Sequence, residues 1–171
     1  MSDYPIKKHR TAVEYITASL LGDLCAEAMT NQRGRINHNF HALGDGYQRL
    51  LNVIQPNSYI QPHRHLSPPK SESFIVLKGK IAFFCFDANG SLTEARCLGP
   101  AEETIGVDIH PGIWHTFLAI GPDTVVFEGK NGPYNPATDK AFASWAPTEG
   151  SPEAEGYMRE LLSQLPQPDS K

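Results

Sequence analysis

Apolar residues first recur at steps of three and four: Val13, Ile16, Leu20 and Leu24 make one stripe and predict an N-terminal helix. Thr11 and Glu14, three apart at its head, read as a capping box in which each side chain takes up the other's amide. From Tyr47 the period falls to two. Segments 47–54, 73–77, 80–86, 92–98, 104–109, 116–120 and 124–128 alternate or run apolar over four to eight residues, the length and pattern of short strands. Near the C-terminus the helical period returns. Ser151 is placed as N-cap and Pro152 at the first helical position, with Tyr157, Met158, Leu161, Leu162 and Leu165 as the apolar side and Pro166 and Pro168 as the stop.

Chain breakers separate the strands: Gln55-Pro56-Asn57, Pro68-Pro69, Asn89-Gly90, Gly99-Pro100, Pro111-Gly112 and Gly121-Pro122. Asn89-Gly90 predicts a type I′ hairpin, which needs positive φ at both central residues. Seven short strands at near-even spacing predict an antiparallel barrel or jelly roll, mainly β, with one helix at each end. No internal repeat interrupts it. The expected organisation is one globular domain: a helical extension over 1–34, a barrel over 35–135, and an irregular segment with a helix over 136–171. The stretch 130–150, rich in Pro, Gly and aromatic residues, is expected to cross the barrel irregularly.

Composition narrows the partners. With 15 basic and 19 acidic side chains the net charge is −4, and without a basic run neither nucleic acid nor an anionic membrane is expected as partner. The longest apolar run, 81–86, is too short to span a bilayer, and no apolar core follows the basic first residues. Cys25, Cys85 and Cys97 are odd in number and lack CxxC spacing, so they are expected as buried, reduced thiols in a cytoplasmic protein.

The chemistry gathers at Pro62-His63-Arg64-His65, Glu72 and Pro111-Gly112-Ile113-Trp114-His115. Residues two apart on a strand share a face, so His63 and His65 can turn two imidazoles toward one ion, with Arg64 pointing away toward a structural ion pair. Glu72 would add a carboxylate from an adjacent strand, and His115 would arrive from a later strand across the barrel. Taken singly, a His-x-His, a strand-end glutamate and a histidine beside Trp114 are each ordinary. Together on consecutive short strands they point to one divalent transition metal with an open position. Imidazole and carboxylate suit iron, manganese, nickel or zinc alike.

His63-x-His65, Glu72 and Gly79 resemble the first motif of the cupins, with a lengthened loop before the glutamate. Gly106, Pro111-Gly112 and His115 resemble the second, with proline and glycine adjacent rather than separated. More narrowly, Pro62-His63-Arg64-His65, 109–117 and Phe127-Glu128-x-Lys130-x-Gly132-Pro133-Tyr134 resemble the WbuC family of cupin-fold metalloproteins. Arg35-Ile36-Asn37-x-Asn39-Phe40-His41 and Phe142-Ala143-Ser144-Trp145-Ala146-Pro147 are similar to that family's flanking segments. The resemblance implies a single cupin jelly-roll barrel, His63, His65, Glu72 and His115 on a metal, a link to bacterial surface-polysaccharide biosynthesis, and a homodimer. It implies no particular reaction. A metal-dependent isomerase, epimerase or dioxygenase acting on a sugar or nucleotide-sugar is the expectation, with a non-catalytic metal- or sugar-binding cupin as the alternative.

Other polar residues take roles around that metal. On 124–128, Val125 and Phe127 share one face and Thr124, Val126 and Glu128 the other. If the second face lines the barrel, Glu128 is a candidate general base or a partner of a ligating histidine; if not, it is a surface charge. Lys70, Arg35, Asn37, His41 and Tyr134 are candidates to rim a pocket for a small polar ligand. Phe83, Phe84, Phe86, Trp114 and Phe117 are expected in core and pocket wall. His9, His38 and His110 have no part in the site.

Overall fold

The computed structural model describes residues 13–166. The segment Ala18–Thr30 forms α1. It is followed by strands β1 (Arg35–Asn39), β2 (Tyr47–Ile54), β3 (His63–Arg64), β4 (Glu72–Lys78), β5 (Ile81–Phe86), β6 (Leu92–Leu98), β7 (Gly106–Ile109), β8 (Trp114–Ala119), β9 (Thr124–Asn131) and β10 (Ala141–Phe142), and then by α2 (Ala154–Ser163). The strands make two antiparallel five-stranded sheets, ordered β1-β2-β9-β4-β7 and β10-β3-β8-β5-β6.

The sheets face each other across a core of Ile54, Phe74, Val76 and Val126 from the first and Ile81, Phe83, Leu98 and Phe117 from the second. Each sheet's outer face is covered by a helix. Leu24, Cys25 and Ala28 of α1 lie against Leu51, Val53 and Val125. Leu161 and its neighbours on α2 lie against Ala82, Phe84, Phe86 and Leu118. This layering explains why 81–86 is apolar without a break: Ile81 and Phe83 point inward, Ala82, Phe84 and Phe86 point to α2, and no face meets water.

Several strand bounds match the sequence pattern, including 47–54 and 92–98 to the residue. The helix starts do not. The α1 cap is Thr17, whose Oγ1 accepts the Leu20 amide, while Val13 and Ile16 stand exposed before it; Thr11 lies outside the described residues. The periodic stripe ran past the last turn that the sheet can cover, and uncovered residues gain nothing from becoming helical. α2 begins at Ala154, not Pro152, with no side-chain cap; Ser151 instead closes a turn through its carbonyl to the Ala154 amide. α2 ends at Ser163, before Pro166, and Pro168 lies outside the described residues.

At Asn89-Gly90 only the glycine has positive φ, so the turn is not type I′. A longer loop runs from Asp87 to Ser91, and the Asp87 carboxylate accepts the amides of Asn89 and Ser91. A register shift at Cys85/Phe86 absorbs the extra length. The three cysteines are unpaired, and only Cys25 is fully buried; Cys85 and Cys97 are half-buried.

Gly106, at the head of β7, sits so close under β4 that a β-carbon there would overlap the Phe74 carbonyl oxygen. Gly106→Ala is therefore expected to cost about 1–3 kcal/mol, the range for forced overpacking. A urea unfolding midpoint unchanged from the parent protein would refute this.

Candidate metal centre

His63 and His115 sit directly opposite each other on β3 and β8, and His65 follows His63 on the same face. His115 thus comes from the strand beside the histidine pair, not from across the barrel. Glu72 is the residue that crosses: it opens β4 in the facing sheet. The two assignments are the reverse of the sequence expectation, because neighbours in a jelly roll are set by connections between sheets, which spacing does not reveal. The four side chains are buried, and one donor atom of each lies within 4.8 Å of all the others.

Strand parity sends Arg64 and Trp114 to the opposite face, where the guanidinium stacks 4.4 Å from the indole. The contact is cation–π, in place of the expected ion pair. The turn before β8 is tied to the histidine pair through the Gly112 amide, which donates to the His65 carbonyl at 3.0 Å. Gly112 has φ +85°, which a side chain would strain.

The backbone fixes the protons of the imidazoles. His63 Nδ1 faces the Gln61 carbonyl at 3.0 Å, His115 Nδ1 the Ile113 carbonyl at 2.9 Å, and His65 Nδ1 the Asp139 carbonyl. A carbonyl only accepts, so each Nδ1 carries the proton and each neutral ring turns an Nε2 lone pair inward. Glu72 Oε2 lies 3.0 Å from His115 Nε2 and 3.3 Å from His65 Nε2, and the latter nitrogen has no hydrogen bond. Burial and the positive charge of Lys140 hold His63 well below the usual imidazole range. Burial works to raise Glu72, but the close His115 and His65 rings and the Lys130 charge outweigh it and keep the carboxyl well below the usual range. Three lone pairs and a carboxylate oxygen converging in a dry site repel one another unless a cation joins them. The donor set fits a divalent transition metal.

Beside it lies a buried charge network that the sequence reading largely missed. Lys130 is opposite Glu72 on β9, with Nζ 3.6 Å from Glu72 Oε1, 3.5 Å from Glu128 Oε1 and 3.0 Å from Asp139 Oδ2. Lys70 closes the other side of Asp139 at 2.9 Å. Glu128 is buried, not a surface charge, and its carboxylate accepts from the Asn52 amide. Burial and the neighbouring Glu72 push its pKa up to about 8 against the pull of Lys130. Lys140, just before β10, also reaches this region, and burial and Lys130 lower its pKa. The signal in the sequence was Lys130, two residues after Glu128 and so on the same inward face.

The centre opens through His63 and Glu72 into a cavity of about 630 Å³. Arg35, Asn37, His41 and Tyr134 line it. Lys70 does not: it is buried against Asp139 and the Pro133 carbonyl, holding the network from behind. His38 packs edge-on against Phe40, His110 is exposed, and His9 lies outside the described residues.

At the mouth, Glu149 joins Arg33 at 2.7 Å and Arg35 at 2.5 Å. Burial would raise the Glu149 carboxyl, yet the two guanidiniums keep it below the usual range. Its contribution to stability is therefore complete above the unfolded carboxyl value, about 4.3, and fades as pH falls toward the folded value. Glu149→Gln should melt lower than the parent at pH 7 and converge with it in acid; an equal gap at both pH values would contradict the pairing.

A family model described as a domain of unknown function (DUF6016) matches residues 16–98. No curated protein matches the chain. Among solved structures, the capsular polysaccharide assembling protein CapF from Staphylococcus aureus superposes with a TM-score of 0.56 at 23% identity, covering 66% of this chain and 32% of that one. The chain has the cupin fold. CapF with the inhibitor 3-isopropenyl-tropolone gives a TM-score of 0.51 at 21% identity, over 63% of this chain and 33% of that protein. The chain thus spans about a third of CapF's length. L-ribose isomerase from Cellulomonas parahominis is similar at 19% identity and a TM-score of 0.46, over 67% of this chain and 61% of the isomerase. No helix among the described residues is long and apolar enough to cross a membrane.

Proposed function

We propose that this cupin is a metal-dependent enzyme that converts a small sugar or nucleotide-sugar in the biosynthesis of a surface polysaccharide. One observation carries the reading: four buried donors converge at the end of a cavity of about 630 Å³, large enough for such a ligand, beside a buried acid–base group. The likeness to a capsular polysaccharide assembling protein supports the pathway, and the segment Phe127–Tyr134 supports the closer kinship with the WbuC family.

In this reading His63, His65, Glu72 and His115 hold the metal, which as a Lewis acid would polarise a carbonyl or hydroxyl of the bound ligand. The carbonyls behind the three rings keep them aimed, and Lys130 keeps Glu72 ionised. Glu128 is the group in the cavity that takes and returns a proton, as sugar isomerisation or epimerisation requires. Asn52 and Lys130 fix its carboxylate. Arg35, Asn37, His41 and Tyr134 contact the polar periphery of the ligand. The protein works in the cytoplasm, as a pair of identical chains.

The test is turnover of the metal-loaded, tag-free protein against a panel of nucleotide-sugars, with and without oxygen. Conversion of one of them, lost in Glu128→Gln at unchanged metal content, supports the reading. Conversion only with oxygen would make the protein a dioxygenase. Binding without conversion would favour the non-catalytic alternative.

A further inference from the structure

Lys140 stands apart from the two buried lysines. Lys70 and Lys130 each have a carboxylate within 3.0 Å, both of them on Asp139. Lys140 lines the cavity yet makes no ion pair or hydrogen bond among the described residues. It immediately precedes β10, whose Phe142 is opposite His63, so the strand pairing brings Lys140 in beside the metal ligands. The carboxylates nearby are already engaged: Glu72 by the histidines and Lys130, Glu128 by Asn52 and Lys130, Asp139 by both other lysines.

Lys70, Lys130 and Lys140 at least match the charge of Glu72, Glu128 and Asp139, and a divalent ion at the histidines would add two positive charges that no carboxyl group of this described cluster offsets. An uncompensated charge in a dry site is costly, so the metal-loaded cavity selects a partner of negative charge. Among the described residues, Lys140 is the lysine of this pocket whose ammonium makes no hydrogen bond. A single ammonium suits one carboxylate, and Glu72, Glu128 and Asp139, which act on Lys140 through space, would repel a phosphate dianion more than a monoanion.

We infer that Lys140 is the anchor for a carboxylate on the substrate, and that the ligand of this cavity is a sugar acid rather than a neutral sugar. This rests on the metal-binding reading for the source of the excess charge, whereas the placement of Lys140 does not.

Binding is measured by calorimetry on tag-free protein, with metal content determined on the same samples. The probes are D-glucuronate, D-glucose and D-glucose 6-phosphate, with glycerate and glycerol as a smaller acid and neutral pair. For the metal-loaded protein each acid is expected to bind at least about tenfold more tightly than its neutral counterpart, the size of one charge-assisted contact. Lys140→Met should erase that preference without changing metal content, and Lys140→Arg should keep it. Equal affinity for acid and neutral probe, no binding of either acid at millimolar concentration, a preference that survives in Lys140→Met, or tighter binding of the phosphate would each overturn the inference. A Lys140-dependent preference in protein that takes up no metal would sustain the anchor and refute the metal. Stoichiometric metal without the preference would do the reverse.

Discussion

Lys130→Met should destabilise the protein by about 3–5 kcal/mol, the cost of removing one partner from a buried ionic group. Lys130 has three carboxylates within 3.6 Å, and the side chains are nearly inaccessible to water. Methionine fills the space of the aliphatic stem but leaves Glu72, Glu128 and Asp139 facing one another. Lys70 still neutralises Asp139, so the burden falls on the two glutamates. Adding Glu128→Gln to Lys130→Met removes the repulsion between the two glutamates and should recover part of the loss. Denaturant unfolding of the two single variants and the double variant measures the coupling directly. If Lys130→Met lost less than about 1 kcal/mol, in the range of an exposed pair, the network would not be the buried unit described above.

The second large effect concerns the metal. The protein with both His63→Ala and His65→Ala should purify without stoichiometric metal, whereas the parent should carry one ion per chain by elemental analysis. Chelation should lower the melting temperature of the parent and leave the double variant unmoved. At free metal about a hundredfold above its dissociation constant, the loss corresponds to about 2.7 kcal/mol. Glu72→Gln discriminates further. It keeps the shape but removes the charge that balances the ion, so occupancy should fall while the fold persists. Metal retained in the histidine double variant would place the ion elsewhere.

The sequence showed those parts of the site that depend on parity. Two histidines with one residue between them must share a face, and Val125, Phe127 and Glu128 divided between two faces as alternation requires: Val125 and Phe127 meet α1, and Glu128 turns inward. It could not show which strands lie side by side. β3 and β10 are two residues long, too short for any periodic signal, yet they bring His63 beside His115 and Lys140 beside the centre. β1 reads Arg-Ile-Asn-His-Asn and was invisible for another reason: it is an edge strand with only His38 fully buried, so it needs few apolar residues. The lysines escaped notice because charge on a strand usually means exposure. Only the closeness of Glu72, Glu128 and Asp139, set by two neighbouring strands of one sheet and a loop, makes their burial tolerable.

All three imidazoles are oriented by main-chain carbonyls, those of Gln61, Ile113 and Asp139. A peptide oxygen stays where it is whichever side chain the residue carries. Exposed Ile113 could drift to almost any residue, and Gln61 to any that fits its buried place, without rotating a ring. The geometry of the His63 and His115 rings is thus insulated from substitution at the positions that orient them, whereas Asp139, behind His65, is held by its two lysines. A saturation scan of the protein should therefore find residue 113 permissive for metal retention and His115, two residues on, intolerant of every replacement.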